Sequence, residues 1–205
     1  MITPDDFCSA FIKAYREAQS CLTPEAWKAV WNDDYETWNS LMLWGSPHLR
    51  ERKSVLSLVA ESLGVRYWVG EPFRCDAAFL PASARIYGRT PTSMAAVIEH
   101  ESDLRTFREE IAKLLQIRCP LKVGITYALE GTTGPGKKLT ASRRKITEHA
   151  SALDAELRNL VREDARASYL YLLGVSPQKY KFEWHSLVFP ASAGPASGEW
   201  RVLAA

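Results

Sequence analysis

The spacing of apolar positions shifts between helical and strand periods along this chain. Phe7, Phe11, Ile12 and Tyr15 recur at helical spacing behind Thr3 or Asp5 as candidate caps. Thr23-Pro24-Glu25 has the cap, proline and acid order that opens a second helix, carrying Trp27, Trp31, Trp38 and Trp44. Tryptophans at this spacing fill a core more often than they stack on bases. Gly45-Ser46-Pro47 breaks the run, and Val55, Leu56, Val59 and Leu63 form one side of a third helix, about Leu49 to Leu63, stopped by Gly64.

Past Gly64 the period becomes that of strands. Val65–Val69 and Phe73–Leu80 read as two of them, joined through residues 81–93, a hairpin connection or exposed loop, to a third. In that third strand Ala95-Ala96-Val97-Ile98 drives straight into Glu99-His100-Glu101. Asp103 caps a helix striped by Leu104, Phe107, Ile111, Leu114 and Leu115, and Leu121–Tyr127 alternates as a fourth strand. Strand, helix, strand at this spacing is a βαβ crossover, so the third and fourth strands should be parallel neighbours. A loop at 130–138 leads to a long charged helix, about Leu139 to Leu173, and then to strands at Tyr180–Phe189 and Glu199–Leu203. The expectation is one α/β domain over residues 1–205: a central mixed sheet flanked by helices, with a helical N-terminal segment (1–48), a core (49–127) and a C-terminal helix and strand pair (128–205).

Composition changes this picture little. With 46% hydrophobic and 24% charged residues among 205, the chain is of ordinary globular make-up. A net charge of +2 points to no partner, because a nucleic-acid surface needs basic residues clustered rather than merely numerous. No apolar run is long enough to cross a bilayer, and MITPDDFCSA lacks a signal peptide's basic and apolar regions, so a cytoplasmic protein is expected. Cys8, Cys21, Cys75 and Cys119 are widely spaced and suit buried thiols in a reducing compartment better than a zinc site.

The acids are the candidate chemistry. On a strand Glu99 and Glu101 share a face, where two like charges repel unless a cation lies between them. Should the second and third strands pair, Asp76 joins them at one sheet edge, and such oxygen ligands suit Mg²⁺ or Mn²⁺. A bound ion would lower the pKa of a water and supply a nucleophile. The alternative is plainer: acids after an apolar run also mark a strand's exit into solvent, and Asp103 is explained as a helix cap. His100 faces the other way, as a packed or surface histidine.

Helix, three strands, helix, strand, with an acid on strand two and acid-x-acid on strand three, resembles the PD-(D/E)XK nuclease superfamily over roughly residues 49–127. The resemblance implies a restriction-endonuclease-like core, Mg²⁺ or Mn²⁺ as cofactor, and hydrolysis of nucleic-acid phosphodiester bonds, DNA first among them. Asp76 matches the strand-two aspartate and Glu99 the acid of the (D/E)-x-K half, while Glu51 matches an extra acid that many members carry on the first helix. Glu101 stands where the lysine would be, resembling the E-x-E form of some restriction endonucleases. By that resemblance the catalytic set is Asp76, Glu99 and Glu101, and the metal set Asp76, Glu99 and Glu51. The family's lysine orients or activates the attacking water. A glutamate there is either a base or further metal ligand, or the mark of an inactive site. Lys122, Thr126, Tyr127 and Arg105 are the residues to weigh as substitutes.

Residues 131–138, GTTGPGKK, also fit the phosphate-loop pattern G-x-x-x-x-G-K. Lys138 occupies the place where Ser or Thr would hold Mg²⁺, and no later apolar strand ends in Asp. A flexible Gly/Pro loop or a basic loop near nucleic acid fits the segment better. Lys137, Lys138, Arg143 and Arg144 cluster where a helix dipole disfavours positive charge, so phosphate contact would give them a use; an ordinary solvated patch is the alternative. Besides a nuclease, the readings left open are a non-catalytic interaction protein of the same fold and a nucleotide-binding protein using residues 131–138.

Overall fold

The computed structural model describes residues 1–27, 38–46, 49, 51, 53–70, 74–88, 90–101, 107–128, 151, 155, 158, 166–178, 181–191 and 200–203. Helix α1 (Pro4–Cys21) begins at Thr3, whose hydroxyl accepts the Asp6 N–H while the Asp6 carboxylate accepts the Thr3 N–H. This reciprocal cap, with Pro4 in the first turn, satisfies N–H groups that no helical carbonyl can reach. Phe7, Phe11, Ala14, Tyr15 and Ala18 form its buried face. Residues 24–27 are again helical, with Thr23 Oγ1 accepting the Ala26 N–H, and a single π-helical turn (Ser40–Trp44) follows. Trp27 and Trp38 are buried as expected, Trp44 is 55% exposed, and Trp31 lies outside the described residues.

Helix α2 (Val55–Ser62) is shorter than its apolar pattern predicts, because Ser54 and Ser57 cap each other and fix its start. Gly64, at φ +65°, turns the chain out of it. Strands β1 (Arg66–Val69), β2 (Ala77–Leu80), β5 (Ala96–Glu101), β6 (Leu121–Ala128), β7 (Ser168–Gln178), β8 (Lys181–Phe189) and β9 (Trp200–Leu203) form one mixed sheet in the order β1-β2-β5-β6-β7-β8-β9. Two short strands, β3 (Ile86–Tyr87) and β4 (Thr90–Pro91), pair as a separate ribbon between β2 and β5. β1, β2 and β5 run antiparallel in turn; β5, β6 and β7 are parallel; β8 and β9 close the sheet antiparallel. Helix α3 (Phe107–Gln116) makes the crossover from β5 to β6, so that parallel pair is as the sequence predicts.

The fold is therefore α/β, a mixed sheet with helices on both faces. One face carries α1 and α2: Phe7 and Phe11 pack with Ala77, Phe79, Ile98, Val123 and Ile125. The other carries α3: Phe107, Ile111 and Leu114 pack with Val97, Tyr169 and Tyr171. Alternation along β5 thus sends Ile98 to the first face and Val97 to the second.

Two expectations need correcting. Among the described residues the second strand starts only at Ala77: Arg74, at φ +69°, lies in the left-handed region, and regular pairing begins three residues later. The long helix does not reach Leu173, because Ser168 onward is β7, a central strand parallel to β6. Its Tyr169-Leu-Tyr-Leu-Leu173 run is apolar on both sides because both faces of the sheet are covered there. Ser151, Ala155 and Arg158 are helical; the GTTGPGKK loop and Lys137, Lys138, Arg143 and Arg144 lie outside the described residues, as do Asp103 and Arg105. No described helix is long and apolar enough to cross a membrane.

Candidate functional site

The site follows from the register of β2 against β5. Ala77 pairs with Ile98, so Asp76, in the turn just before β2 rather than on it, falls opposite Glu99. Its Oδ2 accepts the backbone N–H of His100 at 2.7 Å. Glu99 sits on the same side of β5 as Val97, under α3, and is only 2% exposed. Its parallel partner on β6 is Gly124, and a side chain there would collide with the helix. A Cβ on Gly124 would lie 2.8 Å from Phe107 Cζ and 2.9 Å from Ile111 Cδ1. The glycine lets α3 settle on the sheet and bring Glu110 and Lys113 within electrostatic reach of the strand acids.

Four charged side chains and a thiol act on one another here. Burial, then the charge of Asp76, pushes the Glu99 carboxyl up to about 9; the Cys75 thiol pulls it down, Glu110 pushes it up and Lys113 pulls it down. Asp76 is also raised, by burial, against the His100 N–H and a hydrogen bond from Glu99. These directions describe a carboxyl pair that keeps one proton at neutral pH, with Glu99 donating to an ionised Asp76. Lys113 is ion-paired with Glu110. Partial burial disfavours its charge, but Glu110 together with the charges of Glu99 and Asp76 outweighs that and holds it above the usual lysine range. Glu99 Oε1 is buried with no hydrogen-bond partner among the described residues.

Asp76 and Glu99 are thus brought together as the sequence suggests. Glu101, half-buried, extends the same side of β5 opposite Thr126 of β6, whose Oγ1 is also buried without a partner among the described residues. Glu51 is not part of α2; it lies in a 3₁₀ turn ahead of it, at φ +54°. It pairs with Lys53 at 3.0 Å, which also holds Glu61 at 2.8 Å. His100 faces the other side, its Nε2 2.7 Å from the Tyr127 hydroxyl, and burial pushes its pKa down to about 3. Tyr127 is therefore taken by the core, and Lys122 is fully buried against Tyr169, whose hydroxyl accepts from Nζ at 3.1 Å. Neither substitutes for the motif's lysine.

Glu110 and Lys113 escape a reading of strands alone. A signal for Glu110 exists: it falls between Phe107 and Leu114 on the apolar stripe of α3, where a polar residue is out of place. Lys113 follows it at i+3, the spacing of a helical ion pair. Among the described residues no group of three or more His, Cys, Asp or Glu side chains is arranged to hold a metal ion. The candidate is a two-carboxylate pair with a cation beside it.

No family model and no curated protein matches this chain. Among solved structures it is similar to the central domain of yeast acetyl-CoA carboxylase at 10% identity and a TM-score of 0.34, over 91% of this chain and 34% of that one. The chain spans about a third of that structure, and a likeness this slight carries no argument.

Proposed function

We propose that this protein is a metal-dependent, nuclease-like hydrolase of nucleic-acid phosphodiester bonds, built on a restriction-endonuclease-like core. The observation that carries the reading is the buried Oε1 of Glu99 beside Asp76, without a hydrogen-bond partner among the described residues, with the Lys113 charge on α3 acting on the pair. The order α2, β1, β2, β5, α3, β6, with β5 and β6 parallel, supports it. So does the placement of the acids at the carboxyl end of a parallel strand, where α/β sheets commonly bind ligands.

The donors fit a hard cation. Mg²⁺ is commonly held by one or two carboxylates together with substrate oxygens, and Asp76 and Glu99 supply two. Such an ion would polarise the phosphate and acidify a water. Everything else is the work of the chain. Asp76, fixed by the His100 N–H, holds its carboxylate toward the pair; Glu99 must give up its proton; Lys113 supplies the positive charge that Glu101 cannot.

Calorimetric titration with Mn²⁺ tests this, alongside cleavage of labelled DNA and RNA. Binding should disappear in Asp76→Ala and Glu99→Ala, and wild-type binding should release a proton to buffer near pH 7. Undiminished Mn²⁺ affinity in both variants would defeat the proposal. One observation favours a second reading, an interaction protein without catalysis: Glu99 donates a hydrogen bond to Asp76, so the two carboxyls already satisfy each other in part. Absence of both metal binding and cleavage in the wild type would select it.

A further inference from the structure

Beyond the acids, the described residues contain a cavity of about 490 Å³ where α3 ends and β6 and β7 begin, at the opposite end of these parallel strands from Glu99. We infer that this cavity binds a phosphate-bearing ligand, gripped by the guanidinium groups of Arg118 and Arg166. The inference stands apart from the nuclease reading and uses none of its residues.

Size and charge both point that way. Ligand pockets commonly span about 300–1,000 Å³, and this cavity falls inside that range. Among its described lining residues two are arginines and none is an acid. Guanidinium forks match phosphate oxygens two at a time, which an ammonium cannot do. The end of α3 would by itself repel an anion, because its last carbonyls carry the negative pole of the helix. Lys122 removes that objection. It is fully buried; its Nζ donates to the carbonyl of Leu115, a lining residue, at 3.3 Å, and sits over the Tyr169 ring. That bond places a positive charge on a carbonyl of the helix's last turn. Cys119 also lines the cavity but offers no nucleophile: its thiol donates to the Leu121 carbonyl at 3.4 Å, and burial pushes it up to about 11. The site binds rather than reacts.

Titration calorimetry with inorganic phosphate, at ionic strength matched with chloride, tests the assignment in the full chain. Arg118 and Arg166 are exposed, so Arg118→Ala and Arg166→Ala should fold normally. Each should weaken phosphate binding by about tenfold or more, as loss of a charge-assisted hydrogen bond does, while Asp76→Asn leaves it unchanged. A short oligonucleotide with a 5′-phosphate, compared with its 5′-hydroxyl form, identifies the source. Preference for the phosphorylated form assigns the site to a strand end; equal behaviour of the two, with phosphate still bound, assigns it to a small molecule. No saturable phosphate binding by the wild type, or binding unaltered in both arginine variants, overturns the inference.

Discussion

Replacing Glu99 by glutamine should make the protein more stable at neutral pH while abolishing the metal binding proposed for it. The usual glutamate value is 4.5, and in the fold this carboxyl is pushed up to about 9 by burial and by Asp76. Between those values the native chain holds a proton that the unfolded chain has released. Stability from this group is therefore full below pH 4.5 and drains away as pH rises toward 9. At about 1.4 kcal/mol per pH unit, the loss between 4.5 and 7 is about 3 kcal/mol, an upper figure because the neighbouring carboxyl can take up part of the proton. Glutamine keeps the shape and a donor toward Asp76, but nothing on it titrates. Urea unfolding followed by tryptophan fluorescence at pH 5, 6, 7 and 8 should show wild-type stability falling relative to E99Q, with the gap widening at each step. Parallel profiles for the two proteins would refute the reasoning, because they would mean that Glu99 ionises in the fold as it does in water.

His100 acts on the acid side and with the opposite sign. Its native value of about 3, against a usual 6.5, means that only the unfolded chain gains a proton as pH falls through 6.5, so stability drops there. From pH 7 to 5 this costs about 2 kcal/mol, nearly cancelling the Glu99 gain, and E99Q should uncover the loss while His100→Gln uncovers the gain. Gly124→Ala should cost about 1–3 kcal/mol in urea unfolding, since Phe107 and Tyr171 ring atoms and the Ile111 tip must all retreat from the new methyl. An unchanged midpoint would show that α3 does not rest on Gly124 as closely as described.

The strand acids are legible in the sequence because period two is rigid. Once β2 and β5 pair in the register that buries Ala77 against Ile98, Asp76 falls opposite Glu99. Helix-borne partners are a different problem. Whether Glu110 and Lys113 face the acids depends on the rotation and height of α3 over the sheet, and Gly124 of β6 sets that height. β7 is hidden for a related reason. A strand buried on both faces loses its alternation, and the mixed charges that precede it have the look of a helix continuing. An apolar pattern that extends past the real cap at Ser54 puts Glu51 on a helix it does not join. Each difference falls where tertiary burial, not local period, decides the structure.

The aromatic cluster on the α1 face has a consequence for how the chain matures. Trp184 of β8 meets Phe11 and Tyr15 of α1 edge-on, at centroid distances of 4.7 and 5.5 Å, and also contacts Tyr127 of β6. Helix α1 thus finishes its packing against a strand that leaves the ribosome much later. Until residue 184 emerges, Phe11 and Tyr15 lack the indole they close on, and β7 has only one of its two neighbours. Contacts of such long sequence separation slow folding and leave apolar surface exposed in the meantime. The nascent chain would be the form in greatest need of a chaperone, and the pairing of β8 with β7 the event that ends that need.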